Sequence, residues 1–157
     1  MAGVWCAAAA VLLAGCGVQP SGVTGGDEAP TGVAPGVTLY FVDAGGELRP
    51  QLRPTGRLGT VSDAVQLLLT GLGDSDLRTE IAPTTTPRVV VTSTPDVLRI
   101  EVPLTIDDVT PLGIDQIVCT ALGVHVQGGG SRDTRAQVRF TLPTPESEKH
   151  RRCPVTG

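Results

Sequence analysis

An α+β fold, a mixed or antiparallel sheet with two amphipathic helices packed on one face, is what the sequence predicts from its patterning. Three observations carry that expectation. Two stretches place apolar residues at helical spacing directly behind a capping threonine, Thr60 or Thr110; several others alternate β-branched or apolar residues with polar ones; and glycine and proline separate them. The patterned part runs from Gly36 to Gly157, roughly 120 residues, a usual size for one domain.

Ahead of it lie two segments of different character. Residues 1–15 are uncharged and largely apolar and lead into Leu13-Ala14-Gly15-Cys16. This stretch resembles a bacterial lipoprotein signal with its lipobox, which implies cleavage before Cys16, a diacylglyceryl group on its sulfur, and a protein held on the extracytoplasmic face of the cell membrane. Two acyl chains, at roughly 0.8 kcal/mol per buried CH₂, hold a protein on a bilayer where one does not. The apolar run from Val4 to Ala14 is well short of the roughly 20 residues a spanning helix needs. One departure from the signal pattern is the absence of Lys or Arg before Arg49. Residues 16–35, dominated after Cys16 by Gly, Pro, Ser and Thr with no apolar period, read as a flexible tether.

Within the patterned part, Val37–Val42 is a β-branched and aromatic run ending at the turn Asp43-Ala-Gly-Gly46. Leu48–Arg53 returns as a second strand, confined to an edge by Pro50 and Pro54. Thr60 and Asp63 form a capping-box pattern, with Val61, Ala64, Val65, Leu68 and Leu72 as the apolar stripe of a helix that Gly71 and Gly73 stop. Arg88–Thr92 and Val97–Val102 read as strands about the turn Thr94-Pro95-Asp96. Thr110 with Pro111 opens a second helix to about Leu122, with Cys119 off its apolar stripe on the solvent side. Val124–Gln127 then reads as a short strand. Ala136, Val138, Phe140 and Leu142 alternate with Arg135, Gln137, Arg139 and Thr141 as a last strand.

The opening strand Val37–Asp43, the helix core Asp63-Ala-Val-Gln-Leu-Leu-Leu-Thr-Gly71, the segment Leu77-Arg-Thr-Glu-Ile81, the hairpin through Pro95-Asp96 and the helix containing Asp115-Gln-Ile-Val-Cys-Thr120 together resemble a GerMN domain. That family is named for sporulation and spore-germination proteins and also occurs in lipoproteins of high-GC Gram-positive bacteria, some associated with envelope-sensing kinases. The resemblance covers roughly residues 36 to 142. It implies a packed binding domain and brings no catalytic set with it. The Gly128–Gly130 loop and the tail beyond Leu142 depart from the family's pattern.

Composition narrows the partners. A net charge of −4 disfavours nucleic acid, which selects a basic face to displace counterions. The only Trp is Trp5, inside the signal, leaving Tyr40, Phe41 and Phe140 as aromatics, too few for a sugar-stacking platform. Cys119 and Cys153 are an even pair once Cys16 is lipidated and Cys6 removed, and outside the cytoplasm such a pair tends to oxidise. Their disulfide would fix the polar tail Pro143–Pro154 to the second helix. With His125 and His150 the same cysteines could instead make four zinc ligands, though the spacing matches no zinc pattern closely. Cys119 as a nucleophile with a histidine base is the enzyme alternative, and it requires a free thiolate.

Other polar clusters have plainer readings. Asp107-Asp108, with Asp115 beyond, could hold a cation or flank a glycoside, but acidic residues also suit the N-terminal dipole of a helix. Glu146, Glu148, Lys149, Arg151 and Arg152 read as a solvated tail, whose basic residues could also touch anionic lipid or wall polymer. Neither a Gly-x-Ser-x-Gly elbow nor a strand-to-helix phosphate loop occurs. The expectation is therefore a lipid-anchored, non-catalytic binding or adaptor module without a cofactor, meeting an envelope protein such as a sensor kinase or a cell-wall polymer. Arg135 and Arg139, on the wet face of the last strand, are the candidate contact positions, unless they serve only to protect an edge.

Overall fold

The computed structural model describes residues 35–73 and 75–155. Its elements are β1 (Val37–Val42), β2 (Leu48–Arg53), α1 (Val61–Leu69), β3 (Val90–Ser93), β4 (Val97–Glu101), α2 (Pro111–Gln127), β5 (Arg135–Arg139) and β6 (His150–Arg151), with 3₁₀ turns at Ile106–Asp108 and Pro145–Glu148. The class is α+β, as the patterning predicts. The strands divide into two sheets: an antiparallel β1–β2 pair and a mixed sheet in the order β3-β4-β5-β6.

Local chemistry fixes the β1–β2 hairpin. Asp43 Oδ1 accepts from the Gly45 and Glu47 amides at 2.9 and 3.0 Å, and Gly46 turns the chain with φ +84°. Among the described residues β2 pairs only with β1, so Pro50, opposite Tyr40, sits at an edge where its missing N–H costs no ladder bond. At the end of β2, the Arg53 guanidinium lies 5.9 Å from the Phe41 ring centroid and donates to the Gly71 carbonyl at 3.1 Å and to that of Leu72. A cation thus holds the turn that follows α1.

α1 starts where its capping box predicts. Thr60 Oγ1 accepts from the Asp63 amide at 3.1 Å, and Asp63 Oδ2 accepts from the Thr60 amide at 3.0 Å. Those two groups from Thr60, its amide first, hold the Asp63 carboxyl below its usual range. The helix ends at Leu69, a turn short of the expected Leu72, and Leu69 joins Ala64, Val65 and Leu68 in the core.

α2 departs most from its expectation. It runs through Val124–Gln127, so that segment is the last helical turn and not a strand. The reason is burial: Val124 is 3 % exposed, and packing overrides the β-preference of the two valines there. Cys119 is likewise not on a solvent side. It is fully buried, as are Gln116 and Thr120, because this helix is covered on nearly every face. α2 is the crossover between β4 and β5, which pair in parallel with Leu98 opposite Ala136 and Ile100 opposite Val138.

Beyond Arg139 the strand stops, and Leu142 is exposed at 64 % instead of facing the core. The tail is an ordered structure held at a few points, although Glu148, Lys149 and Arg152 stay exposed as a solvated tail would have them. Ser147 is buried, β6 pairs antiparallel with β5, and Glu146 is paired with both Lys149 and Arg151. Phe41, Leu39, Leu68, Leu98, Ile100 and Ile117 are the largest members of a core shared by both helices and both sheets.

A strapped helix face as candidate binding surface

Leu112, Asp115, Cys119, Leu122 and Val126 recur every three or four residues and so share one face of α2. The tail crosses that face, and Cys153 is joined to Cys119 by a disulfide at its middle. Arg151 reaches Asp115 at 4.0 Å from the same strap. Burial pushes the Asp115 carboxyl above its usual range, opposed by the Arg151 charge.

Two clefts remain, one on either side of the strap. Toward the start of α2, an open cleft of about 620 Å³ is bounded by Tyr40, Leu112, Asp115 and Val155. Its one guanidinium, Arg49, is already paired with Asp43 at 2.7 Å and Glu47 at 2.8 Å. Toward the end of α2, a more enclosed cleft of about 300 Å³ is bounded by Leu122, Val126, Arg132, Arg152 and Cys153.

The loop that walls this second cleft is tightly held. Gly130 N donates to the His125 carbonyl at 2.8 Å, His125 Nε2 meets Thr134 Oγ1 at 3.1 Å, and Thr134 is buried. Gly130 lies against the imidazole so closely that a Cβ there would overlap the ring. His125 is therefore spent on the loop, whereas His150 lies exposed on β6. Both sulfurs are in the disulfide, which leaves neither a thiolate for a nucleophile nor a zinc ligand while that bond persists. Among the described residues no group of three His, Cys, Asp or Glu side chains is placed to hold a metal. Asp108 caps its own 3₁₀ turn by accepting from the Thr105 amide and hydroxyl, which lowers its carboxyl; it does not start α2.

Arg135 and Arg139 lie on the outer face of β5, but β5 is flanked by β4 and β6 and is neither the last strand nor an edge. β6 covers β5 only at Ala136 and Gln137, so neither arginine stands opposite a β6 residue. Between them sits Gln137, only 3 % exposed because the Pro145–Glu148 turn passes over it: its Nε2 donates to the Ser147 carbonyl at 2.8 Å, and its Oε1 accepts from Arg99 at 3.2 Å. The tail thus separates the two arginines. Arg139 turns toward Glu148, 3.9 Å away, and an open groove with Arg88 and Glu101. Arg135 stays exposed, with no carboxylate within 4.0 Å among the described residues.

Sequence patterning assigned nothing to Arg132, left Gln137 on the wet strand face although it is buried, and gave Arg152 only as one of the tail's basic residues. The alternation of the strand hides a buried amide, and only the strap brings Arg152 beside the loop that carries Arg132. No helix among the described residues is long and apolar enough to cross a membrane. Cys16, the signal segment and the tether up to residue 34 lie outside the described residues. No family model matches the chain, and neither a curated protein nor a solved structure is found similar to it.

Proposed function

We propose that this chain is a lipoprotein anchored through Cys16 on the extracytoplasmic face of the cell membrane, whose GerMN-like domain binds a partner and carries out no reaction of its own. The observation that carries the reading is the Cys119–Cys153 disulfide, which ties the tail to the helix at the centre of the fold. Such bonds persist in oxidising compartments, and the Leu13-Ala14-Gly15-Cys16 sequence offers the route there. The element order, in which a strand pair, a helix, a hairpin and a crossover helix succeed one another, supports the family resemblance. The partner is an envelope protein, such as a sensor kinase, or a cell-wall polymer, in envelope, sporulation or germination processes. Arg135 and Arg139 are its contact positions.

Two experiments test this. The full chain, expressed in a bacterium with a fatty-acid analogue, takes up label in the wild type and loses it in Cys16→Ala; equal labelling and membrane retention of both would remove the anchor. Cross-linking in cells then compares the wild type with an Arg135→Glu, Arg139→Glu variant. Unchanged partners in unchanged yield would remove those contacts, and turnover of peptidoglycan or peptides by the pure domain, lost in Cys119→Ser, would overturn the non-catalytic reading.

A further inference from the structure

We infer that the cleft at the C-terminal end of α2 is a binding site for the C-terminal carboxylate of a peptide that ends in an apolar residue. The inference rests on the reading of the domain as a binding module, but not on its anchoring. Four features converge on this ligand class.

The first is the pairing of an apolar wall with cations. Leu122 and Val126 supply the wall, and Arg132 and Arg152, two cationic residues with no carboxylate within 4.0 Å among the described residues, Asp133 beside Arg132 included, also border the cleft. In a chain of net charge −4, two uncompensated arginines on one small cleft favour an anion, and their planar forks suit a carboxylate. Arg152 also directly follows Arg151, which pairs with Ala136, so it lies toward the Arg135 end of β5 and adds to a local positive field.

The second feature is size. About 300 Å³ is at the lower end of ligand cavities and holds one side chain with its terminal carboxylate, whereas a long acyl chain would project from it. The third is polarity: Gln127 and Ser131 also border the cleft and can meet the peptide amides that precede a C-terminus. The fourth is rigidity. Arg152 adjoins a cysteine covalently held to α2, and Arg132 rides on the loop locked by Gly130 and by the His125–Thr134 contact. Fixed backbones on both sides reduce the ordering cost of binding.

The test is a backbone-amide NMR titration of the oxidised, exported protein with acetyl-Gly-Gly-Leu, its C-terminal amide, and octanoate. The acid peptide is expected to shift the resonances of Leu122, Val126, Ser131, Arg132 and Arg152 and to saturate below roughly 1 mM. The amide is expected to bind about tenfold more weakly, and Arg132→Gln and Arg152→Gln are each expected to weaken the acid about tenfold. Equal binding of acid and amide, or no shifts at roughly 10 mM acid, overturns the site. Tighter binding of octanoate than of the peptide overturns the peptide assignment in favour of a free acyl carboxylate. Because the titration uses only pure protein, its failure while the wild type still cross-links to partners in cells removes this cleft alone, and a wild type that yields no cross-linked partner removes the module reading.

Discussion

Gln116 in the middle of α2 holds the backbone of Tyr40 in β1: its Nε2 donates to the Tyr40 carbonyl at 2.9 Å, while its Oε1 accepts from the Glu80 amide at 2.8 Å. One turn on, Thr120 Oγ1 accepts from the Tyr40 amide at 3.1 Å. Two residues further along the strand, Val42 exchanges both backbone bonds with Arg78. The side of β1 not paired with β2 is therefore sealed by a helix and a loop. Replacing Gln116, which is fully buried, by Leu strands the Tyr40 carbonyl and the Glu80 amide together. Urea denaturation should show a loss of about 3 kcal/mol, and a change under roughly 0.5 kcal/mol would mean the two groups find other partners.

Gly113, in the first turn of α2, lies against the Glu80 carbonyl so closely that a Cβ would overlap that backbone oxygen. A backbone atom cannot rotate aside as a side chain can. Gly113→Ala should cost roughly 1–3 kcal/mol despite the better helix propensity of alanine, whereas Gly123→Ala, whose Cβ would meet only the Tyr40 ring at 3.8 Å, should be neutral or stabilising. Thermal melts of the two variants side by side decide it.

The Cys119–Cys153 bond closes a loop with a sequence separation of 34. In the chain-entropy model that is worth roughly 3–4 kcal/mol. Cys153→Ser should lose about that much in urea denaturation under oxidising conditions and leave the wild type's sensitivity to reductant behind. A variant as stable as the oxidised wild type would show the bond to be dispensable.

At the start of α1 the expected cost of Thr60→Ala is about 1 kcal/mol. The Asp63 carboxyl is held below its ordinary 3.8 by its bonds to the Thr60 amide and hydroxyl, so the stability it contributes is complete above that value and vanishes as pH falls through the folded-state value. Asp63→Asn should therefore flatten the acid limb of the stability curve. An unchanged limb would exclude this capping box as a source of acid sensitivity.

Asp115 has the opposite sign. Burial raises its carboxyl above 3.8, only partly opposed by Arg151, so its protonated form favours folding at low pH and that contribution is lost as pH rises through the folded-state value. Asp115→Asn should remove this decline and leave melting temperature at neutral pH equal or higher. A clear drop there would mean that the Arg151 contact outweighs the desolvation.

The caps were legible from sequence because they are local: Thr60 with Asp63, and Thr110 with Pro111, carry their own partners within a turn. The class of the fold followed from the same periodicities. Gln116, in contrast, bonds to residues 76 and 36 positions away, and nothing near it in the chain announces them. α2 misled in length and in facing for one physical reason. A helix covered on nearly all sides has no single stripe, so a cysteine off the apparent stripe looked exposed, and the valines after Gly123 looked like a strand. The charged tail was legible as exposed but not as ordered, because Glu146 pairs with both Lys149 and Arg151, and Arg151 also reaches Asp115 from far along the chain. Arg135 and Arg139 were correctly placed on one strand face, but the turn that divides them comes from beyond the strand's end.

The strap has a consequence for survival in a protease-rich surrounding. Arg132 and Lys149 are exposed, basic, and both fall between Cys119 and Cys153, so a trypsin-like cut after either leaves two polypeptides still held together by sulfur. Such a nicked molecule would keep its C-terminal piece seated on α2 and migrate as one species until reduced, and damage that would shed the tail of an unbridged domain becomes a silent break.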